Sequence, residues 1–274
     1  MNLDKEFLRL QSHIDKIIRT GEKDIARNYK ETLDSLRSYI AELYSRYEAE
    51  GQLTFYEMNK YDRLSKMDKE IIKLILELYK GNSQVIRGTL RGVAEESYTN
   101  TLNIVNQATG RRIKGILKPT DITKTINSEM AGLKWAERMH YHRNTAIYEI
   151  QKEIKQGLTQ GDTYGTMARR LKKKLEVDIS KANTIVRTEG HRCHGQAKED
   201  SFDTIQKAGV KFKEQWVSSR DERVRSYHEE LDGVTINHGE MFYSPSGAAG
   251  PGPGLMGKPE DDINCRCIKI LVLD

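Results

Sequence analysis

The sequence W-V-S-S-R-D-E-R-V-R-S-Y-H-E-E-L-D-G at residues 216–233 opens the C-terminal stretch that decides the fold. The stretch continues into S-P-S-G-A-A-G-P-G-P-G at 244–254 and ends with I-N-C-R-C-I-K-I-L-V-L-D at 263–274. It holds two of the three cysteines and one of the two tryptophans. The chain before it is rich in lysine and glutamate and is patterned as helix. We therefore expect any specific chemistry in this stretch, with a helical region upstream.

The amino-acid composition limits the classes of protein to which this chain can belong. The chain has 274 residues, of which 37% are hydrophobic and 31% charged, which favours two domains and elongated helical packing. It has no apolar run long enough to span a bilayer and no apolar run behind its charged start, so we expect no membrane contact and no secretory signal. Three cysteines indicate reduced thiols in an intracellular setting. The net charge of +5 permits contact with nucleic acid without requiring it.

Apolar residues recur every three or four positions before residue 209, as on one face of a helix. The predicted helices cover residues 3–50, 54–81, 82–107, 127–156, 162–175 and 178–208. Gly110, Gly115 and Pro119 mark a loop, and we place a domain boundary there. Residues 1–125 are predicted to form an elongated helical N-terminal region, and 126–274 a second domain.

The pattern changes after Gly209. Residues 210–217 alternate, with Glu214 and Trp216 on the same side as two apolar residues, as in a half-buried strand. Residues 265–273 predict a second strand, and the proline- and glycine-rich segment between the two predicts a long surface loop. The fold class is therefore mainly α with a small C-terminal α+β domain, in which helices extend to 208 and a small sheet lies within 210–274.

Asp221, Arg225 and His228 are spaced by four and three, so they share a face if this segment is helical. A carboxylate beside an imidazole fixes its tautomer and raises its basicity, which suits a metal ligand or a general base. The alternative is structural: Asp221 caps the turn and pairs with Arg223 or Arg225.

Two cysteines, Cys265 and Cys267, are separated by one residue and would point to the same side of a strand. With His228 and a further ligand they match the donor types of a zinc site. We take His238 as that further ligand, with His191 and His194 as alternatives. Two inert buried thiols are the competing interpretation.

A thiol hydrolase is another possibility, with Cys265 as nucleophile, His228 as base and Asp221 as the group that orients the base. No P-loop, dinucleotide-binding glycine pattern, zinc-protease motif or serine-hydrolase motif occurs in the sequence.

Basic residues concentrate in residues 152–192, and the densest run is R-R-L-K-K-K at 169–174. Such a face can contact DNA phosphates without reading sequence, although a solvated lysine face gives the same pattern. The residues of this possible contact with double-stranded DNA are Arg169, Arg170, Lys172, Lys173 and Lys174. In the following helix, Arg187 is a candidate anchor that pairs with Asp221 or Glu189.

Several of these motifs recur in one order. They are Arg187-Thr-Glu189, Trp216, Asp221-x-Arg223-Val-Arg225-x-x-His228-x-x-Leu-Asp-Gly, a Pro/Gly loop and Asn-Cys265-Arg-Cys267. In this the chain resembles, over roughly residues 130–274, the Mu F-like minor head proteins of tailed phages, also called head morphogenesis proteins. The resemblance implies that Arg187, Glu189, Trp216, Asp221, Arg223 and Arg225 form the family's structural motif. Some relatives carry an added C-terminal toxin or enzyme domain, which we do not expect here.

The resemblance implies a structural minor capsid protein, present in few copies at the portal vertex inside the head. Its role would be in head assembly, DNA packaging or DNA ejection. The expected partner is the portal protein, with the scaffold or major capsid protein as a further candidate. The expected location is the virion interior, with the host cytoplasm during assembly. We expect no enzymatic activity and no cofactor. The alternatives are a zinc- or thiol-dependent hydrolase, in which zinc would be the cofactor, and a non-specific DNA-binding protein.

Overall fold

A computed structural model describes residues 2–273 and confirms a mainly helical chain with a small C-terminal α+β region. The helices are α1 Leu3–Tyr47, α2 Phe55–Asn59, α3 Arg63–Thr109, α4 Pro119–Ile126, α5 Trp135–Gln160, α6 Tyr164–Lys207, α7 Ser226–Glu229 and α8 Pro259–Asp262. The strands are β1 Phe212–Val217, β2 Thr235–Asn237, β3 Phe242–Tyr243, β4 Ala249–Gly250 and β5 Ile268–Leu273. Among the helices described, none combines the length and the apolar character that crossing a bilayer requires.

Two of the predicted helix breaks are wrong, because α3 continues through Gly81 and α6 continues through residues 176–177. A glycine costs a helix only about 1 kcal/mol, and Gly81 leaves room for Asn28, whose amide nitrogen would lie 3.4 Å from an added Cβ. Asn28 in turn donates to Asn82 at 2.9 Å. Gly81 therefore serves close packing and does not end the helix.

The predicted helix over 127–156 begins too early. Residues 127–134 form a loop between α4 and α5, in which Ala131 and Gly132 have φ of 50° and 75°. A helix cannot pass through two successive left-handed residues. Pro119 opens α4 because proline lacks only an amide hydrogen that the first helical turn leaves unpaired.

The chain packs as two compact units, and each draws on segments that are far apart in sequence. The first comprises Met1–Gly21, Ile86–Trp135 and Thr184–Asp274. In its core, Phe7 and Phe202 meet edge to face with ring centroids 6.4 Å apart. The predicted domain boundary at residue 125 assumed that each domain is one continuous stretch of sequence. It stays a prediction about how the chain folds.

The second unit comprises Glu22–Val85 and Ala136–Asn183. Tyr29 and Tyr79 meet edge to face within it, with ring centroids 6.5 Å apart. The Tyr44 hydroxyl donates to the Asp162 carbonyl at 2.5 Å, which ties α1 to the start of α6. This unit is helical apart from its connecting loops.

The three-stranded antiparallel sheet has the order β2-β1-β5 and belongs to the first unit. Phe212, Glu214 and Trp216 all face inward on β1, as their alternation predicts. Strand β5 begins at Ile268, so the prediction that Cys265 and Cys267 lie within it is wrong. They lie in the turn between α8 and β5.

The Pro/Gly segment between β3 and β5 was expected to be a surface loop, but much of it is buried. Strands β3 and β4 pair within it, with Phe242 opposite Gly250. A Cβ on Gly250 would lie 2.1 Å from the Leu255 carbonyl oxygen, so only glycine permits this backbone approach. The segment forms one wall of the region described next.

Candidate functional site

His228 lies at the centre of the most concentrated chemistry in the C-terminal region. It belongs to the short helix α7, and its side chain is buried. Nδ1 lies 3.7 Å from the Cys265 sulfur and 3.6 Å from the Cys267 sulfur. Nε2 lies 3.2 Å from Asp261 Oδ1. Because a carboxylate accepts hydrogen bonds, this contact places the ring proton on Nε2 and leaves the Nδ1 lone pair facing both sulfurs.

Asp261 is held by contacts that fix its orientation. Its second oxygen accepts a hydrogen bond from the Ser246 hydroxyl at 2.7 Å. The neighbouring Asp262 carboxylate accepts hydrogen bonds from the amides of Met256 and Gly257 at 3.0 and 2.8 Å. Helix α8 is thereby tied to the Pro/Gly loop, so the carboxylate that faces His228 has little freedom to turn away.

The turn that presents the two cysteines is set by Asn264. Its φ of 55° is in the left-handed region, which asparagine tolerates better than most residues. Its amide donates to the Thr188 hydroxyl of α6 at 3.2 Å, and the Cys265 amide donates to the Asp262 carbonyl at 3.2 Å. This reversal allows two cysteines outside a strand to aim both sulfurs at one point.

Apolar side chains enclose the site. The ring centroids of Trp216 and His228 are 5.2 Å apart. The cysteines share a core cluster with Trp216, Leu231, Phe242, Ala248 and Met256. Such an environment is largely closed to water, and it favours neutral or fully paired groups.

Each of the two thiols changes the pKa of the other. The hydrogen bond from Cys265, together with a smaller contribution from His228, lowers the pKa of the Cys267 thiol to about 5. The same sulfur–sulfur interaction and burial raise the pKa of Cys265. The pair therefore favours one negative charge shared over two sulfurs.

The prediction that Asp221 orients His228 is wrong, because Asp261 takes that place. Asp221 instead forms a two-point ion pair with Arg266, in which Nη2 and Oδ1 are 2.7 Å apart. It also accepts the Arg223 amide at 3.0 Å, as a capping residue does. The predicted ion-pair partner, Arg223 or Arg225, is wrong, because Arg266 takes that place. The Arg266 guanidinium lowers the pKa of Asp221. Only Ser226–Glu229 of this segment are helical, so Asp221 and His228 do not share a helical face.

Three other members of the sequence motif also have contacts within the protein. Arg225 donates to the Ile263 carbonyl, which joins α7 to the cysteine turn. Glu189 is buried and pairs with Arg192 at 2.6 Å. Arg187 also interacts with other groups of the protein.

His238 is grouped with carboxylates and not with the cysteines. Its Nδ1 contacts Glu214, and its Nε2 lies 2.8 Å from Asp203 Oδ1. The two alternative fourth ligands also have other partners: His194 Nδ1 lies 2.7 Å from the Ser97 hydroxyl, and His191 Nε2 lies 3.7 Å from Asp15 Oδ1.

Glu214 belongs to a buried cluster of charged side chains that was not predicted from the sequence. The Lys269 ammonium donates to Glu214, to Glu199 and, at 2.9 Å, to the Pro251 carbonyl. Lys198 donates to the Lys269 carbonyl. Burial raises the pKa of Glu214 and lowers the pKa values of Lys198 and Lys269. Each charge in the cluster therefore depends on its partners.

Comparison with known proteins identifies the family. The chain is 30% identical over 266 residues to the minor head protein GP7 of Bacillus phage SPP1, covering 97% of this chain and 86% of GP7. The family described as "Phage Mu protein F like protein" matches residues 148–270. The chain belongs to the Mu F-like minor head protein family.

Two further relatives of this Mu F-like protein are more distant. One is the NAD(+)–arginine ADP-ribosyltransferase EFV of Enterococcus faecalis, 28% identical over 227 residues, which are 81% of this chain and 46% of that protein. The other is an uncharacterized Haemophilus influenzae protein, 28% identical over 194 residues, which are 70% of this chain and 38% of that protein. No solved structure matches. The matched family region contains His228, Asp261 and both cysteines.

The basic segment of this Mu F-like protein lies on α6, in the second unit, and is partly neutralised there. Arg170 pairs with Asp162 at 2.7 Å and with Glu153 at 3.1 Å. Lys174 pairs with Glu149 at 2.9 Å. The remaining three basic residues of the predicted DNA contact are exposed: Arg169, Lys172 and Lys173.

Proposed function

We propose that this Mu F-like protein is a structural component of the phage head that binds the portal protein on the inner side of the capsid. There it would aid head assembly and the packaging or ejection of DNA. The observation that carries the proposal is the 30% identity to a minor head protein over 97% of the chain. Similarity over nearly the whole length favours a shared role for both compact units, and not for the family region alone.

The geometry of the cysteine–histidine site supports a structural role over a hydrolytic one. A nucleophilic thiol must meet its substrate, and reactive cysteines are partly exposed. Both cysteines and His228 are buried in an apolar cluster. The raised pKa of Cys265, the cysteine proposed as nucleophile, disfavours its reactive thiolate form.

Exposed aromatic side chains on the second unit are the proposed contact with the portal. Tyr141 and Tyr148 are 70% and 62% exposed on α5. They are seven positions apart and so lie on one helix face. Tyr56 and Tyr61, near α2, are also largely exposed. Tyrosine is enriched at protein interfaces because it buries a large rigid surface and keeps a polar tip.

Co-purification with the cognate portal protein tests the proposal, with the scaffold and major capsid proteins as parallel baits. We expect the portal to be retained at low salt. We also expect the double variant Tyr141→Ala/Tyr148→Ala to weaken retention at least tenfold. The control is Tyr243→Ala, an equally exposed tyrosine of the first unit. Loss of retention in the control alone, or no retention of the portal by the unmodified protein, would contradict the proposal.

A further inference from the structure

We propose that Cys265, Cys267 and His228 bind one zinc ion, with Asp261 as the positioning residue that orients the histidine. The three donor atoms lie within 4.8 Å of one another in the folded chain. His228 precedes Cys265 by 37 residues and Cys267 by 39 residues in the sequence, so the fold itself brings the donor atoms together.

The distances fit tetrahedral zinc. Zinc–nitrogen and zinc–sulfur bonds of about 2.0 and 2.3 Å at tetrahedral angles put nitrogen and sulfur about 3.5 Å apart. The observed Nδ1–sulfur distances are 3.7 and 3.6 Å. An ion placed between the three atoms therefore needs only small side-chain shifts. These three donors leave the fourth position of a tetrahedral ion open.

Contacts beyond the ligands also match a metal site. Metal-bound histidine usually donates its other ring N–H to a carboxylate, which fixes the tautomer and strengthens the ligand. His228 Nε2 faces Asp261, which Ser246 holds in place. Two thiolates and a neutral imidazole cancel the charge of a divalent zinc ion. A neutral complex suits the apolar cluster around it.

A second group of possible ligands serves as a contrast. Glu199, Glu214 and His238 also bring donor atoms within 4.8 Å of one another. There the Lys269 ammonium already donates to both glutamates, so the position for a cation is filled by the protein's own charge. At the cysteine site, within the part of the chain that the structure describes, no lysine or arginine side chain donates a hydrogen bond to either sulfur or to His228.

Metal analysis of the full-length protein, purified under reducing conditions, is the test. We expect one zinc per chain, and its loss in both Cys265→Ser and Cys267→Ser. Cys193→Ala is the matched control because Cys193 is the third buried thiol, on α6, and it should keep the zinc. Asp261→Asn should keep the site but weaken zinc binding by about 10- to 100-fold.

Cobalt substitution keeps the proposal testable if the serine variants do not fold. Cobalt(II) added to metal-free unmodified protein should give thiolate-to-cobalt charge-transfer absorption and the visible bands of tetrahedral coordination. Folded unmodified protein that contains no zinc and gives no such bands with cobalt would overturn the proposal. Full zinc occupancy in both serine variants would also overturn it. In either case the sulfur–imidazole contacts would be hydrogen bonds only.

Discussion

Glu214 and Lys269 show how a short strand can carry a buried charge. Glu214 is buried on β1, and Lys269 is buried near the start of β5. Removing one partner of such a pair leaves the other charge without compensation, and desolvation makes that arrangement costly. The contact joins β1 to β5, and Glu199 of α6 forms a second ion pair with the same ammonium.

Replacing Glu214 by Gln tests this pair. The substitution preserves shape but removes the charge opposite Lys269, so we expect a loss of about 3 kcal/mol in the free energy of unfolding. Urea denaturation followed by circular dichroism gives the measurement. Glu222→Gln, at an exposed position, is the control and should change stability by less than about 0.5 kcal/mol. Equal effects in the two variants would show that the buried pair contributes nothing special.

His194 makes a separate prediction about pH. Burial and the nearby Lys198 and His191 hold its pKa well below the usual value. Below pH 6.5 the unfolded chain binds a proton here that the folded chain does not, so the stability from this residue is present above pH 6.5 and is lost as the pH falls. A difference of one bound proton changes the free energy of unfolding by about 1.4 kcal/mol per pH unit.

Unfolding free energies from pH 7.5 to 5 therefore decline less steeply in His194→Asn than in the unmodified protein. His140→Asn, at an exposed position, should keep the original slope. A His194→Asn variant with the original slope would mean that His194 takes up its proton in the folded state. Because the Ser97 hydroxyl donates to the Val93 carbonyl, Nδ1 donates to Ser97 in the neutral ring. The added proton would lie on Nε2, which has no hydrogen-bond partner among the described residues and would need a new acceptor.

The sequence pattern predicts some of these residues but not the side chains that they contact. The alternation of β1 places Glu214 inward, and the C-x-C pattern points to two convergent thiols. Asp261 was missed because its contact with His228 spans 33 residues of irregular chain, which has no period to read. Asp221 was chosen in its place because it was near in sequence, and the chain turns it toward Arg266 instead.

At the scale of elements, two helical glycines have opposite surroundings. An added Cβ at Gly190 of α6 would lie 2.8 Å from two atoms of Ile18 on α1, whereas one at Gly88 of α3 would meet nothing within 4 Å. Glycine in a helix costs conformational entropy, and it is worth keeping only where a neighbour needs the space. Gly190 meets that condition and Gly88 does not.

Alanine substitution separates the two cases. We expect Gly190→Ala to lower the free energy of unfolding by about 1–3 kcal/mol through overpacking against Ile18. Gly88→Ala should raise it by about 0.5–1 kcal/mol, because the helix gains a better former without a clash. Thermal and urea unfolding measure both variants. Stabilisation by Gly190→Ala would mean that α1 and α6 adjust freely at this contact.

The basic face of α6 gives the element-scale test of DNA binding. The DNA-binding interpretation predicts that neutralising the exposed Arg169, Lys172 and Lys173 weakens duplex binding and reduces its logarithmic salt dependence by up to about three. Neutralising Arg170 and Lys174 should affect stability first, because both form ion pairs within the protein. Fluorescence anisotropy across a salt series measures binding. Binding that is absent, or independent of salt, contradicts the interpretation.

The sequence predicts that a helix is present more easily than it predicts where the helix begins and ends. The three- and four-residue spacing correctly identified the α1 and α5 patterns. Thr54, the first residue of the helix predicted over 54–81, caps α2 by accepting the Glu57 amide at 3.3 Å. That predicted helix is nevertheless divided into α2 and α3, because Tyr61 has a left-handed φ of 53°. The misplaced breaks arose because the conformational effect of a glycine depends on its neighbour in space. Gly81 stays helical beside Asn28, whereas Gly132 takes a left-handed turn.

At the scale of the whole molecule, contacts do not follow the order of the sequence. The C-terminal part of the first unit packs with segments from the beginning and middle of the chain. Phe7 meets Phe202, and Ser97 meets His194. Periodicity cannot reveal such pairings, since it shows which face is buried but not what covers it. The ordered motifs nevertheless indicated the family, because their spacing follows the chain itself.

These contacts predict that residues 126–274 do not fold alone into the structure seen in the full chain. The fragment keeps the sheet and the cysteine site but lacks Phe7, Ser97 and the other N-terminal side chains that cover α6. Losing these contacts exposes apolar side chains of α6, and the small net stability of a typical domain leaves little to offset that loss. We expect an aggregated fragment or one without a cooperative unfolding transition, measured by calorimetry and size-exclusion chromatography. Coexpression with residues 1–125 should restore a soluble complex with one transition. A cooperative transition of the isolated fragment would instead support the sequential boundary at residue 125.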